Sequence, residues 1–318
     1  MAMVEWNYKR VLKWVVVVAI FIFLGKMVWG QWREIREASF TLRGFPFAVG
    51  TLIFAFSYFI QLWAWYLITL KCGIVLSLPE TLQSWFYSQM GKYLPGKVWL
   101  LLSRFYFYES RGKSKKMISI ALYFETVTII VAAGVLFWAS LLLFHDANGY
   151  GLGERARWFA LLFIPVFVFL HPTVLQKLIN EVLRRLKREP ILLSLSYGDV
   201  LWITFVCLLS WLVGGIGFYL FIDSVYSVPA GSVLYLTGAL AFSSILGVIA
   251  LFAPGGLGVR EGALVYLLSF TMPGAVAVVL SVLTRLWMTL IEIGLIGVVY
   301  LVPQIRRHSK EKDPYVQG

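Results

Sequence analysis

The sequence predicts an all-α integral membrane fold, with six spanning helices and two re-entrant helical hairpins arranged as an inverted repeat within a single transmembrane domain, residues 1–318. Three observations predict it. Of the 318 residues, 60% are apolar and only 14% charged, with a mean hydropathy of +0.80, whereas soluble domains carry roughly 25% charged residues. Apolar runs recur at the length of roughly 20 residues that a spanning helix needs. Two further apolar stretches are broken by Pro-Gly sequences at matching places in the two halves. A soluble monomer is excluded, because such runs in water would present large apolar patches and aggregate.

The first run, 12–30, follows Lys9, Arg10 and Lys13 in the manner of a signal peptide. No small-residue cleavage site follows it and Lys26 interrupts it, so it is expected to stay as the first helix. A second run covers 45–70. The stretch 79–108 is apolar and aromatic but broken at Gly91-Lys92-Tyr93-Leu94-Pro95-Gly96-Lys97. Its arms of about 14 residues reach only about 21 Å at 1.5 Å per residue, too short to cross, so a re-entrant hairpin is expected. Runs at 117–144, 157–174 and 199–222 follow. The stretch 232–270 repeats the broken pattern at Ala253-Pro254-Gly255-Gly256-Leu257-Gly258-Val259-Arg260-Glu261-Gly262, and a last run covers 274–302. The arm 232–252 is long enough to cross fully, which leaves its re-entrance open. Helix, helix, hairpin, helix thus occurs over 10–144 and again over 157–302, the second copy entering from the opposite side. Broken helices in corresponding positions of inverted halves point to a transporter with its site near the bilayer midplane.

Net charge is +12, from 28 basic and 16 acidic residues. The basic residues gather between apolar runs: Lys9, Arg10 and Lys13; Arg111, Lys113, Lys115 and Lys116; Lys177, Arg184, Arg185, Lys187 and Arg188; Arg306, Arg307, Lys310 and Lys312. That distribution reads as loops at an anionic cytoplasmic leaflet, not as a nucleic-acid surface, and puts both termini in the cytoplasm of a multi-pass cell-membrane protein. Residues 175–198 form a cytoplasmic basic linker in which 175–190 has the pattern of an interfacial amphipathic helix, a solvated charge run being the alternative reading. Cys72 and Cys207 have no CxxC spacing and predict neither a disulfide scaffold nor a zinc site.

Irregular backbone at membrane depth must be surrounded by protein or line a wet cavity, so the two breaks are expected to line one. A half-helix with Pro in its first turn follows each break, and its free amides and positive dipole end favour an anion. Lys92 and Lys97 flank the first break, with Arg104 two turns on. Arg260 flanks the second, where an internal ion pair with Glu261 that holds the hairpin is the plainer alternative. Phosphate is the abundant anion of a membrane; snorkelling of Lys92, Lys97 and Arg104 to the surface is the plainer alternative. Glu125, Arg285 and Glu292 sit within spans, where each would cost about 2.5 to 3.5 kcal/mol facing lipid, so inward-facing partners are expected. Arg285 and Glu292 are seven apart and suit separate partners; Glu125 suits Arg285 or Arg260. Gly258 with Gly262, and Gly214, Gly215 and Gly217, read as close-packing steps. Trp29, Trp32, Trp85 and Tyr87 read as interfacial anchors. His145, His171 and His308 are scattered, and no HExxH, GxSxG, GxxxxGK[ST] or dinucleotide fingerprint occurs, so neither an enzyme nor an ATP-driven pump is expected, and no cofactor.

Over nearly the whole chain, the two break sequences together with Arg285-Leu286, Glu292 and Gly297 resemble the lysylphosphatidylglycerol synthase transmembrane-region family, also called flippase-like domain proteins. The resemblance implies that Lys97, Arg260, Glu261, Arg285 and Glu292 are cavity residues. It also implies translocation of a lipid: in the founding member, the multiple peptide resistance factor, such a domain moves aminoacylated phosphatidylglycerol made by a fused synthase domain. That synthase domain has no counterpart in this sequence, so synthase activity is not expected. At Glu125 the pattern differs, Thr126 following where a basic residue is usual.

The expectation is therefore a flippase- or scramblase-like protein moving a phosphate-bearing lipid or its headgroup between leaflets, passively or coupled to an ion. Its expected partners are membrane lipids of the anionic phospholipid or polyprenyl-phosphate type. Two alternatives stay open, a non-transporting membrane partner of an envelope-lipid synthesis enzyme and a secondary transporter of a small anion; homo-oligomerisation is also open.

Overall fold

The computed structural model describes residues 40–92, 98–143, 196–250, 256 and 258–311, with a few isolated positions before 34 and between 176 and 185. The expected spans 12–30 and 157–174 lie outside the described residues, as does most of the linker. Within the described residues the fold is all-helical, with no strand. Its eight α-helices are α1 (Gly44–Lys71), α2 (Leu78–Gln89), α3 (Val98–Glu109), α4 (Lys115–Leu143), α5 (Tyr197–Val225), α6 (Val233–Ile249), α7 (Val259–Leu268) and α8 (Gly274–Glu311). Short 3₁₀ turns cover Met90–Lys92 and Ala230–Ser232.

Four expected spans appear as α1, α4, α5 and α8. A fifth segment, Ala230–Ile249, is also long and apolar enough to cross. It contains most of the 232–252 arm, whose length the sequence shows to be sufficient for a full crossing. Helix starts follow local chemistry. Ser77 and Glu80 open α2, the Glu80 carboxylate accepting from the Ser77 backbone N–H at 3.2 Å. Ser196 and Asp199 close a reciprocal capping box on α5 at 3.1 and 3.0 Å.

The centre of the fold is the crossing of α1 with α5, which run antiparallel. Gly50 lies against Gly217, whose missing Cβ would fall 2.7 Å from the Gly50 carbonyl and the Phe54 amide; Gly214 lies against Ser57 farther along. Ser210 Oγ donates to the Ser57 carbonyl at 3.0 Å. Ion pairs close both ends of the crossing, Arg43 with Asp223 at 2.6 Å and Lys71 with Asp199 at 2.7 Å. Gly215 admits Thr237 of α6. The close-packing expectation for Gly214, Gly215 and Gly217 is thus met by named neighbours. For Gly258 and Gly262 it is corrected: Gly258 takes a φ of 81° as a turn residue, and nothing lies within 4 Å of a Cβ built on Gly262. The turn, not helix packing, needs glycine there.

Around this crossing stand two antiparallel helical hairpins. In the first, Arg111 beyond α3 pairs with Glu80 of α2 at 2.8 Å, Arg104 of α3 reaches Ser88 of α2, and Gly91 abuts the backbone of Trp99 and Leu100. The Arg111 guanidinium and the Ser77 hydroxyl hold the Glu80 carboxyl below its ordinary range. In the second, Tyr235 of α6 donates to the Leu267 carbonyl of α7 at 2.8 Å, while Gly256 and Arg260 press on Gly247. Each hairpin therefore returns its ends to one place. The α6 arm also runs antiparallel to α4. Gly238 meets Ser140, Phe137 stacks on Phe242 at 4.1 Å, and Ile245 clusters with Ala133. By that register α6 ends about half-way along α4. The last helix, α8, docks through Trp287, which stacks on Phe221 at 4.4 Å and donates to Thr51 Oγ1 at 2.9 Å.

Two substitutions test this packing by thermal unfolding of the detergent-solubilised protein. Gly217→Val should destabilise by about 1–3 kcal/mol, the usual range for overpacking a tight contact. Gly262→Ala, with open space and a helical backbone, should stabilise by about 0.5–1 kcal/mol.

Candidate functional site

The charged side chains inside the fold form two groups of different character. The first is closed. Arg104, on α3, is 1% exposed, and its Nη1 meets Glu125 Oε2 of α4 at 2.5 Å. Its Nε and Nη2 both donate to Ser88 Oγ, at 3.1 and 2.9 Å. The other carboxylate oxygen of Glu125 accepts from Trp85 Nε1 at 3.1 Å, and the guanidinium lies 4.6 Å from the Trp65 ring centroid. Charge and hydrogen-bonding capacity are matched almost atom for atom.

Three expectations are corrected here. Glu125 pairs with Arg104 of its own half, not with Arg285 or Arg260, because the α2–α3 hairpin lies against α4 at that depth. Arg104 does not snorkel to a surface. Trp85, 2% exposed, is not an interfacial anchor; its indole N–H holds the buried carboxylate. Tyr87 lies against α8, its ring 6.4 Å from that of Tyr300.

The second group gathers on one face of α8. Arg285, Met288 and Glu292 follow one another at helical spacing, and Arg285 and Glu292 are about 10 Å apart along the axis. They have separate partners. Glu292 accepts from Lys92 Nζ at 3.1 Å and from the Tyr58 hydroxyl at 2.5 Å, and Lys92 also lies 5.9 Å from the Tyr58 ring centroid. Arg285 Nη1 is 3.6 Å from Glu261 Oε1 of α7. Arg260, next to Glu261, places Nη2 2.9 Å from the Met288 sulfur, a weak acceptor, and makes no ion pair with a carboxylate among the described residues. It is deep among the helices, within electrostatic reach of Arg285, Glu261, Tyr58 and Glu292, yet only half-buried.

The local reason for the second arrangement is the turn before α7. Gly256 and Gly258 take φ of 73° and 81°, and the Gly258 amide donates to Glu261 Oε2 at 2.6 Å. This holds Glu261 at the helix start and turns Arg260 toward α8. Ser281 Oγ donates to the Glu261 carbonyl at 3.1 Å, fixing α7 to α8. Glu261 Oε1, in a residue 4% exposed, has no hydrogen-bond partner among the described residues.

Of the eight expected site residues, Lys92, Arg260, Glu261, Arg285 and Glu292 come together along α8, and Arg104 and Glu125 pair apart from them. Lys97 lies outside the described residues, as do Pro95 and Pro254; the helices after the breaks begin at Val98 and Val259. Tyr58 and Met288 complete the cluster and were not singled out in the sequence, where a Tyr among many span aromatics and a Met in an apolar run carry no distinguishing signal.

A family model described as the lysylphosphatidylglycerol synthase TM region matches residues 11–297. No curated protein and no solved structure matches the chain.

Stability measurements separate the two groups. Arg104→Ala should cost about 3–5 kcal/mol, since it leaves the Glu125 charge buried without its partner. The double replacement Arg104→Met, Glu125→Leu should cost much less. Equal losses in chemical denaturation would show that the cost does not come from leaving the Glu125 charge buried without its partner.

Proposed function

The chain belongs to the lysylphosphatidylglycerol synthase transmembrane-region family, and from that premise we propose that it translocates a phosphate-bearing lipid, or its headgroup, between leaflets. The observation that carries the reading is the cluster on α8. Three cations, Lys92, Arg260 and Arg285, face two carboxylates, Glu261 and Glu292, and Arg260 makes no ion pair among the described residues. Ionisable groups at membrane depth are costly and mark substrate or ion pathways. An excess of guanidinium donors is the complement of a phosphate.

In this reading the α2–α3 and α6–α7 hairpins are re-entrant elements dipping from opposite leaflets, each in one copy of an inverted repeat, residues 10–144 and 157–302. The antiparallel α1–α5 crossing supports it, since these are the second spans of the two copies. So do the return of each hairpin upon itself and the end of α6 about half-way along α4. Both hairpins touch the same face of α8, the first through Lys92 and the second through Glu261 and Arg260. A phosphate there would be held at mid-depth while the acyl chains stay in lipid. The expected setting is a cell membrane with both termini cytoplasmic, the partners are anionic phospholipids or polyprenyl phosphates, and the protein catalyses no covalent step. Movement is passive or coupled to an ion gradient.

Proteoliposomes carrying fluorescent phospholipids test the proposal. Wild-type protein should speed exchange between leaflets, and Arg260→Ala should slow it at least tenfold, with Lys92→Ala slowing it less because Lys92 already has a carboxylate. Equal rates for wild type and Arg260→Ala would overturn the assignment of this cluster as the path.

A further inference from the structure

The two halves each place an ion pair between the second arm of the hairpin and the helix that follows it. In the first half the pair is Arg104 of α3 with Glu125 of α4; in the second it is Glu261 of α7 with Arg285 of α8, with the charges exchanged. Glu125 and Arg285 lie at matching heights, each about three turns into its helix. The two pairs are made to different standards. The first is 2.5 Å long, and both of its partners are hydrogen-bonded throughout. The second is 3.6 Å long, and among the described residues its carboxylate Oε1 is buried without a hydrogen bond and a second guanidinium, Arg260, beside it has only a thioether to donate to.

A guanidinium offers five N–H donors and a carboxylate two acceptor oxygens. At Arg104 and Glu125 each guanidinium nitrogen donates, to Glu125 or to Ser88, and both carboxylate oxygens accept. At Arg260, Arg285 and Glu261 the donors far exceed the acceptors, and one of the two carboxylate oxygens is already held by the Gly258 amide. Buried polar groups are ordinarily satisfied, and a group left unsatisfied calls for an explanation. An oxyanion with several acceptor oxygens, placed between the two guanidinium groups, would use the surplus donors.

From this difference we infer that Glu261 is a built-in stand-in for the substrate phosphate. Its carboxylate offsets the repulsion between Arg260 and Arg285 and holds Arg285 loosely. A phosphate oxyanion displaces it from Arg285 and is clamped by both guanidinium groups at the N-terminal end of α7. The Arg104–Glu125 pair, fully satisfied, is the fixed anchor that does not exchange. This deepens the translocation reading and rests on the same cluster. It adds that the affinity for phosphate is set by an internal competitor, which keeps the clamp from holding its cargo too tightly to release.

The test is equilibrium binding to the purified full-length protein in nanodiscs of zwitterionic lipid. Two probes are used, inorganic phosphate and water-soluble dihexanoyl phosphatidylglycerol. Glu261→Gln removes the competing charge but keeps an oxygen to accept from Gly258, so it should bind at least fivefold more tightly than wild type. In Glu261→Gln, Arg285→Met that gain should vanish, leaving the affinity of Arg285→Met alone. A folded Glu261→Gln protein with unchanged or weaker binding of both probes overturns the inference. If that variant is unstable, Arg285→Met decides: at least tenfold weaker binding supports the clamp, and wild-type affinity overturns it. A gain with the lipid probe, alone or with phosphate, supports the clamp as a headgroup site. A gain with inorganic phosphate alone supports the clamp and overturns the lipid reading. Tighter binding without any leaflet exchange in proteoliposomes overturns translocation and leaves the clamp standing, whereas intact exchange without the gain does the reverse.

Discussion

Charge at membrane depth has to be compensated, and in this protein that requirement decides which helices meet. Hydrocarbon offers no solvation to a guanidinium or a carboxylate, so each must find an opposite charge or a hydrogen-bonding shell. Arg104 and Glu125 meet it by joining the first hairpin to α4, with Trp85 and Ser88 supplying the remaining hydrogen bonds. Lys92 and Glu292 meet it by joining the tip of the same hairpin to α8. Glu261 and Arg285 join the second hairpin to α8 as well. The last helix thereby becomes the element on which both hairpins converge.

Packing without charge does the complementary work. Lipid tails are as apolar as leucine, so helices in a membrane associate through close contact of small residues. Gly50 and Gly217 let α1 and α5 touch backbone to backbone, and the ion pairs at both ends fix the direction of the crossing. Around that axis the halves differ. The α4–α6 contact is dense, with Phe137 stacked on Phe242 and Ser140 filling the space left by Gly238. The counterpart, α8 against α2, rests on the Lys92–Glu292 pair and on Tyr87 with Tyr300 at 6.4 Å. The first contact is close side-chain packing, whereas the second combines the Lys92–Glu292 pair with apolar packing of Leu295, Ile296 and Val299 against the cluster that holds Trp85 and Phe86.

Much of this was legible in the sequence, for physical reasons that differ from element to element. The helices α1, α4, α5 and α8 announce themselves as apolar runs of spanning length. The hairpin α2–α3 shows in arms too short to cross on either side of a Pro-Gly break. The seven-residue spacing of Arg285 and Glu292 gave one face and separate partners. The partner of Glu125 was not legible, because Arg104 lies in another helix and only the fold of the hairpin brings it close. Trp85 resembles the other span-end aromatics in sequence, and only its burial against Glu125 distinguishes it. Gly258 and Gly262 have a helix-packing spacing that says nothing about φ, and the positive φ of Gly258 belongs to a turn.

The central claim is that the α8 face bearing Arg285 and Glu292 lines a wet, anion-attracting chamber. Thr289 lies on that face and is half-buried, and the native Cys72 and Cys207 are buried, so a single introduced thiol can be read against a low background. The direct measurement is labelling of Thr289→Cys by a membrane-impermeant, negatively charged thiol reagent, with and without a short-chain phosphatidylglycerol. The account predicts rapid labelling that the phospholipid slows. A thiol that stays unreactive in the folded protein, or that reacts at the same rate with the phospholipid present, would contradict it.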